Sequence, residues 1–206
     1  MVTHVIELLG RFIIAVISGS GYPGIVLLMA IESACIPLPS EVIMPFSGYL
    51  VSTGRFGLWA VAVAGAVGCN LGSLVAYYLG AWGGRPLVER YGRYVLVSRH
   101  ELVVADHFFA RWGEWAVFIA RLLPVVRTFI ALPAGISRMN VWRFHLYTFL
   151  GSLPWCLALA YAGMKLGPRY TILREYFHRF DTLLGLLIVA AVAWFVYERW
   201  KNRLRA

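Results

Sequence analysis

Residues 31–50 read IESACIPLPSEVIMPFSGYL, and this stretch decides how the rest of the chain can fold. It is apolar enough to enter a membrane, yet it contains two acids and three prolines: Glu32, Glu41, Pro37, Pro39 and Pro45. The first two prolines lack a backbone donor, and each biases the preceding residue away from the helical conformation. The pattern therefore predicts two short helical arms, 24–36 and 42–51, that meet at a break near residues 36–40.

The acids in this stretch are candidate functional residues because of where the stretch would lie. Non-helical backbone at membrane depth persists only inside protein or beside a watery cavity. A carboxylate at that depth costs about 2.5–3.5 kcal/mol on insertion scales. We therefore expect Glu32 and Glu41 to serve a function, with buried structural ion pairs as the alternative.

A second broken segment, residues 116–135, reads AVFIARLLPVVRTFIALPAG and contains Arg121 and Arg127. One broken segment thus holds acids and the other holds arginines. Paired broken segments in corresponding places of two halves point to the binding site of a transporter. The expected hairpin breaks are Pro37, Pro39, Pro124 and Pro133.

The composition indicates one integral membrane domain covering residues 1–206. Of the 206 residues 60% are hydrophobic and 14% are charged, whereas soluble domains are nearer half apolar and a quarter charged. The net charge of +9 comes from basic residues between apolar spans, which favours topology and anionic lipid over nucleic acid as the explanation. The cysteines Cys35, Cys69 and Cys156 stand singly, so neither a metal site nor a cofactor is expected.

The apolar spans predict about three full transmembrane helices, at 58–82, 141–164 and 182–200. Residues 5–18 are apolar but short, and we expect an interfacial helix there. Ser98 begins a capping box, and the residues after it predict an amphipathic helix on the membrane surface.

The two halves of the chain, 22–84 and 112–167, resemble each other. Each runs from a broken segment through a glycine and a tryptophan to a helix that ends in Gly-x3-Gly: Gly48, Trp59 and Gly80 to Gly84, then Gly135, Trp142 and Gly163 to Gly167. With both broken segments re-entrant, about eleven basic residues lie on one side and about six on the other, and the richer side is cytoplasmic. With both segments crossing, the split is about ten to seven. Re-entrance is therefore favoured, and the repeat then has inverted topology.

These motifs resemble the DedA family of bacterial inner-membrane proteins over residues 22–167. The first block is Glu32-x4-Pro37-x-Pro39-Ser40-Glu41 with Gly48, and the second is Asn70-x-Gly72, Tyr77 and Gly80-x3-Gly84-Arg85. The third is Phe118-x2-Arg121-x2-Pro124-x2-Arg127, followed by Ala134-Gly135, Gly151-x3-Trp155 and Gly163-x3-Gly167. The chain departs from the pattern at Ser40, where many members have glycine.

The resemblance implies a fold and a function. DedA proteins share a fold with eukaryotic VTT-domain lipid scramblases, and this fold is described as two facing re-entrant hairpins. Members are implicated in recycling undecaprenyl phosphate and in phospholipid movement, and some depend on the proton-motive force. The family's membrane acids and arginine pair correspond to Glu32, Glu41, Arg121 and Arg127.

The leading hypothesis is therefore a lipid translocase, a flippase or scramblase of the bacterial inner membrane that is not an enzyme. Arg121 and Arg127 would bind the lipid phosphate through bidentate hydrogen bonds. Glu32 and Glu41 would pair with the arginines in the empty site, and their release would provide a route to proton coupling. The expected supporting residues, with packing favoured over ligand contact, are Asn70, Tyr77, Gly135 and Trp155.

Three other functions compete with this hypothesis. A proton-coupled carrier of a small ion or solute would use the same residues. A lipid phosphatase of this kind would use a histidine nucleophile in the membrane site. It is disfavoured because the five histidines all lie outside the broken segments. A non-catalytic membrane-homeostasis factor would need the arginines only for folding. The glycine-rich helix faces would also permit a homodimer.

Overall fold

The computed structural model describes residues 2–34, 36, 38–84, 99–123 and 126–167. Within these ranges every regular element is helical, which confirms the all-α prediction. The α-helices are α1 (Val2–Ser20), α2 (Tyr22–Ser33), α3 (Ser40–Ser52), α4 (Leu58–Leu79), α5 (Arg99–Arg121), α6 (Val126–Phe129), α7 (Ala131–Ile136) and α8 (Val141–Leu166). A π-helical turn, Gly80–Gly84, extends α4.

Within the described residues, two helices are long and apolar enough to cross a membrane. They are α4 with its π-helical turn (Leu58–Gly84) and α8 (Val141–Leu166). At 1.5 Å per residue, the 26 residues of α8 extend about 39 Å, more than the roughly 30 Å of a bilayer's hydrocarbon core. Both correspond to predicted spans, whereas the third predicted span, 182–200, lies outside the described residues.

The first broken segment consists of α2 and α3, separated by residues 34–39. The backbone N–H of Ala34 closes α2 by donating to Ala30 and Ile31. Pro39 is extended (φ −79°, ψ 106°) and caps the start of α3, so the break lies where the sequence predicts it. Pro37 lies outside the described residues. Pro45, by contrast, lies inside α3 and does not interrupt it.

The second broken segment differs from the prediction in two respects. Pro133 is not a break, because it is the third residue of α7, where a backbone N–H would have no partner within the helix. The predicted surface helix is also not separate, because α5 continues without interruption to Arg121. The chain leaves the helical conformation after Arg121; Pro124 and Ser98 lie outside the described residues.

Glycines hold each broken segment against the spanning helix of the other half. Arm α3 packs on α8, and α7 packs on α4 and its π-helical turn. A Cβ at any of four glycines would overlap the facing backbone. The pairs are Gly48 with Ala160 and Gly163 with Pro45 in one interface, and Gly135 with Tyr77 and Gly80 with Leu132 in the other. The same sequence offset relates Gly48 to Gly135 and Pro45 to Leu132, so the two interfaces correspond residue by residue.

Two apolar clusters fill the interior at different levels of α4 and α8. The larger includes Cys69 of α4 and Cys156 of α8, together with buried residues of α1, α2 and α3. The smaller is built around Tyr77 of α4 and Phe144 of α8, with residues of α5 and α7. The segments of α4 and α8 that lie between the clusters carry buried polar side chains, and the candidate site lies at this level.

We predict that Gly135→Ala destabilises the protein. Its Cβ would overlap the carbonyl oxygen of Tyr77, and overpacking of this kind costs about 1–3 kcal/mol. Thermal unfolding in detergent should show a lower Tm for Gly135→Ala. Gly19→Ala is the matched control because nothing lies within 4 Å of its Cβ position. An equal Tm for the two variants would contradict the close approach of α7 and α4.

Candidate functional site

An ion pair joins the two broken segments. Arg127 Nη2 lies 2.8 Å from Glu32 Oε1, and both residues are buried, with Arg127 only 2% exposed. The hydroxyl of Ser33 donates to the other carboxylate oxygen of Glu32 at 3.1 Å. The structure thus brings together an acid of the first segment and an arginine of the second.

Helix geometry explains why Glu32 requires this partner. Glu32 lies in the last turn of α2, where the partial negative charge of the helix end disfavours a carboxylate. Burial removes the water that would otherwise solvate it. Arg127, in the short helix α6, supplies the compensating charge. Because the break places Glu32 at the C-terminal end of α2, the position of the break determines that Glu32 needs a positively charged partner.

Trp155 supports the arginine from α8. The guanidinium carbon of Arg127 lies 5.5 Å from the centre of the Trp155 ring, within the range of a cation–π contact. The aromatic face favours the cation and restricts where its side chain can point. The predicted supporting residue Trp155 thus contacts the predicted phosphate-binding residue directly.

Arg121 is buried at the end of α5, at 2% exposure. Its Nη2 donates to the hydroxyl of Ser73 in α4. Its Nε has no hydrogen-bond partner within the part of the chain that the structure describes. Gly151 of α8 lies against the Cβ of Arg121, so the absence of a side chain there makes room for the arginine.

Buried hydroxyl groups lie on α4 and α8 between the two apolar clusters, at the level of Arg121. Thr148 and Ser152 are buried one helical turn apart on α8, on either side of Gly151. Among the described residues, neither hydroxyl has a hydrogen-bond partner. Buried polar groups nearly always have a partner, either in the protein or in ordered water. These hydroxyls and the Nε of Arg121 therefore retain hydrogen-bonding capacity for a polar ligand or water.

Glu41 lies across the break from Glu32. It is half-buried in the first turn of α3, and the hydroxyl of Ser40 donates to its Oε1 at 3.1 Å. A carboxylate is favourable at this end of a helix. The two acids therefore occupy opposite helix ends with different electrostatic preferences, and only Glu32 depends on an added cation to offset its own helix.

The other predicted supporting residues stabilise the helix contacts around the site. Asn70 donates to the carbonyl of His145 at 3.1 Å, and its amide oxygen contacts the His145 ring. The hydroxyl of Tyr77 donates to the carbonyl of Met139. Gly135 provides the close approach to α4 described above. Each of these contacts joins two helices or a helix and a loop.

Sequence reasoning missed the hydroxyl-bearing residues Ser33, Ser73, Thr148 and Ser152. A signal existed for Ser73, which follows Asn70 by three residues and so shares its face of an otherwise apolar helix. For Thr148 and Ser152 the signal was weaker, because small hydroxyl residues are common in transmembrane helices.

Comparison with known proteins supplies the family. A VTT domain model matches residues 38–165, a range that contains Glu41 and both arginines and begins after Glu32. The chain belongs to the VTT-domain family. This result confirms the resemblance to DedA proteins.

Three relatives illustrate the range of names in this family. The chain is 39% identical over 169 residues (82% of this chain, 75% of the relative) to the uncharacterized membrane protein YkoX of Bacillus subtilis. It is 33% identical over 184 residues (89% and 91%) to undecaprenyl phosphate transporter A of Bacillus subtilis. It is 30% identical over 204 residues (94% and 95%) to an alkaline phosphatase-like protein of Lactococcus lactis. No solved structure matches the chain.

The family and the two apolar spans confirm the predicted location, a multi-pass protein of the bacterial cytoplasmic membrane. The relatives named as transporters support a membrane transporter rather than an enzyme.

We predict strong energetic coupling between Glu32 and Arg127. Glu32→Gln alone leaves a buried guanidinium without its counter-charge, and breaking a buried pair in this way costs about 3–5 kcal/mol. The double variant Glu32→Gln/Arg127→Gln should therefore be less destabilised than the sum of the two single variants. A double-mutant cycle of unfolding in detergent measures the difference.

The matched control is the pair between Glu114 and Arg143. The side chain of Arg143 is 68% exposed, so its cycle should give at most about 1 kcal/mol. Equal coupling energies for the two pairs would show that the Glu32–Arg127 pair is solvated rather than buried.

Proposed function

We propose that this protein moves a lipid phosphate, undecaprenyl phosphate or a related phospholipid, across the cytoplasmic membrane, with Arg121 and Arg127 binding the phosphate. A relative of similar length carries the name undecaprenyl phosphate transporter A. The observation that carries the proposal is the buried ion pair at the meeting point of two broken segments. A phosphate must lose its water to pass through hydrocarbon, and this loss is prohibitive without a compensating charge.

The first step of binding is an exchange of anions at Arg127. In the empty site its guanidinium is held by the carboxylate of Glu32. A phosphate can take the same position because arginine presents a planar fork of donors that matches both anions. The exchange keeps Arg127 paired throughout, while the carboxylate of Glu32 that it releases has to be neutralised in another way.

Arg121 completes the proposed phosphate site. Its contact with Ser73 is to a neutral hydroxyl, which is a weaker partner than a phosphate oxygen. The hydroxyls of Thr148 and Ser152 are available as additional donors. The arginines, from the two sides of the second break, would hold the phosphate from two directions, while the acyl or prenyl chains remain in the bilayer through an open groove.

The arrangement of the broken segments also forms part of the proposal. The matching glycine contacts support an internal repeat in which α2–α3 and the end of α5 with α6–α7 are equivalent. With both segments re-entrant, one enters from each face of the membrane and the repeat is inverted. Their breaks then meet near the midplane, as in other transporters built from inverted repeats.

Proton coupling follows from the same exchange. When phosphate occupies Arg127, Glu32 loses its counter-charge in a poorly hydrated site, and taking up a proton neutralises it. Glu41, on the other side of the break, is a second carboxylate through which the proton can pass. The movement of one phosphate would then be linked to the movement of a proton.

We predict that Arg127→Lys abolishes lipid transport while the protein still folds. Lysine retains the positive charge but lacks the bidentate fork. The assay uses liposomes with labelled undecaprenyl phosphate, or fluorescent phospholipid, in one leaflet, and follows its loss from that leaflet. Arg11→Lys, at an exposed position of α1, is the matched control and should transport normally.

Three results would contradict this proposal. Equal transport by Arg127→Lys and the wild type would remove the arginine fork from the mechanism. Absence of transport of any lipid by the wild type would favour the carrier of a small ion or solute. Release of inorganic phosphate from the labelled lipid would reveal an enzyme instead.

We also predict that Glu32→Gln uncouples transport from the pH gradient. The amide can occupy the same position but cannot exchange a proton. Wild-type transport should accelerate when a pH gradient is imposed across the liposome, and the rate for the variant should be the same with and without the gradient. A variant that still responds to the gradient would place the proton pathway elsewhere.

A further inference from the structure

A second candidate anion site lies at the end of the molecule where α8 begins. A cavity of about 520 Å³ opens there between α5 and the loop that leads from α7 to α8. Its charged and polar lining consists of Arg111, Glu114, Ser137, Arg138, Asn140 and Arg143. None of these residues belongs to the central site around Arg127.

The cavity has an excess of positive charge. Among the described residues, three arginines line it against one carboxylate. Glu114 is already paired with Arg143, which leaves Arg111 and Arg138 to balance the charge of an incoming anion. The lining therefore favours a ligand that is negatively charged and accepts hydrogen bonds.

The turn that ends α7 forms one wall of the cavity. Arg138 has a φ of 50°, as is usual for the residue after a helix that ends in a Schellman motif, here closed by the N–H of Arg138 donating to Gly135 and the N–H of Met139 donating to Ala134. The adjacent Ser137 has a buried hydroxyl that lacks a hydrogen-bond partner among the described residues. Together they place a charged side chain and an unsatisfied hydroxyl in the wall of one cavity.

Exposed tryptophans indicate that this cavity faces the membrane–water boundary. Trp112 and Trp115 of α5 are 52% and 55% exposed, and Trp142 at the start of α8 is 83% exposed. Tryptophan is enriched at the level of the lipid head groups. Trp115 itself lines the cavity, so lipid head groups are expected at its opening.

We propose that this cavity binds the phosphate group of an anionic phospholipid at the membrane surface. The arginines would receive the phosphate, the Ser137 hydroxyl would donate to it, and the tryptophans would contact the glycerol and the upper acyl chains. The inference goes beyond the transport function, because a lipid held here need not cross the membrane. It therefore holds or fails independently of the Arg127 mechanism.

The test measures binding without transport. The full-length protein, purified in a neutral detergent, is titrated with phosphatidylglycerol or with zwitterionic phosphatidylcholine and examined by native mass spectrometry. Arg111→Gln and Arg138→Gly should each weaken phosphatidylglycerol binding by about five- to tenfold, the loss expected for a charge-assisted hydrogen bond at a partly solvated site. Glycine is chosen at Arg138 because it adopts a positive φ without strain.

Two further variants complete the test. Glu114→Gln should strengthen phosphatidylglycerol binding, since it removes the negative charge and frees Arg143. Arg11→Gln, at an exposed arginine of α1 far along the chain from the cavity, should leave binding unchanged.

A titration with inorganic phosphate then distinguishes the source of the anion. Displacement of the lipid indicates that the cavity recognises phosphate alone, and no displacement indicates that the lipid's glycerol and chains are needed.

The proposal is overturned if Arg111→Gln and Arg138→Gly bind phosphatidylglycerol as Arg11→Gln does. It is also overturned if these variants weaken phosphatidylcholine and phosphatidylglycerol equally, because the cavity would then contribute apolar contact rather than recognition of an anion.

Discussion

The ion pair between Glu32 and Arg127 is the constraint on which the rest of the structure depends. Neither charge can be buried alone. The end of α2, which carries Glu32, and the short helix α6, which carries Arg127, must therefore lie side by side. A buried pair adds little stability over apolar packing of the same volume. Its presence in so apolar a chain is consistent with the proposed exchange of partners at Arg127. A structural role alone could be filled by apolar side chains.

The remainder of the fold keeps the two broken segments in position. Short helices have little stability of their own in a polar solvent, but here α3 and α7 each pack against a long spanning helix of the opposite half through glycines, and α2 packs on α4 of its own half. The contact at Gly48 repeats at Gly135, so both segments are held in the same way. The spanning helices pack with each other around the two apolar clusters, and the polar layer with Arg121 lies between these clusters. The site is thus supported by the two long helices α4 and α8.

The sequence predicts the parts of this structure that have a local cause. The break before Pro39 follows from the missing backbone donor, and the spans follow from long apolar runs. The break assigned to Pro133 is wrong, because a missing backbone donor is harmless in the first turn of a helix. Whether Pro133 lies in the first turn or in the interior depends on where α7 begins, and the sequence alone does not show this. The contact of Arg121 with Ser73 could not be predicted, since it joins residues far apart in the sequence through the packing of α4 and α5.

The pairs Glu32–Arg127 and Glu114–Arg143 have the same chemistry but different surroundings, and this difference determines what each can do. The pair of Glu114 and Arg143 faces solvent, where either partner can leave at a cost of about 1 kcal/mol or less. Arg143 can therefore share its charge with a passing head group while water solvates the released acid. The pair of Glu32 and Arg127 is buried, so in the proposed exchange one anion arrives as the other leaves. An exposed pair is suited to collecting anionic lipids at the surface, and a buried pair is suited to admitting only an anion that can replace a carboxylate in its binding geometry.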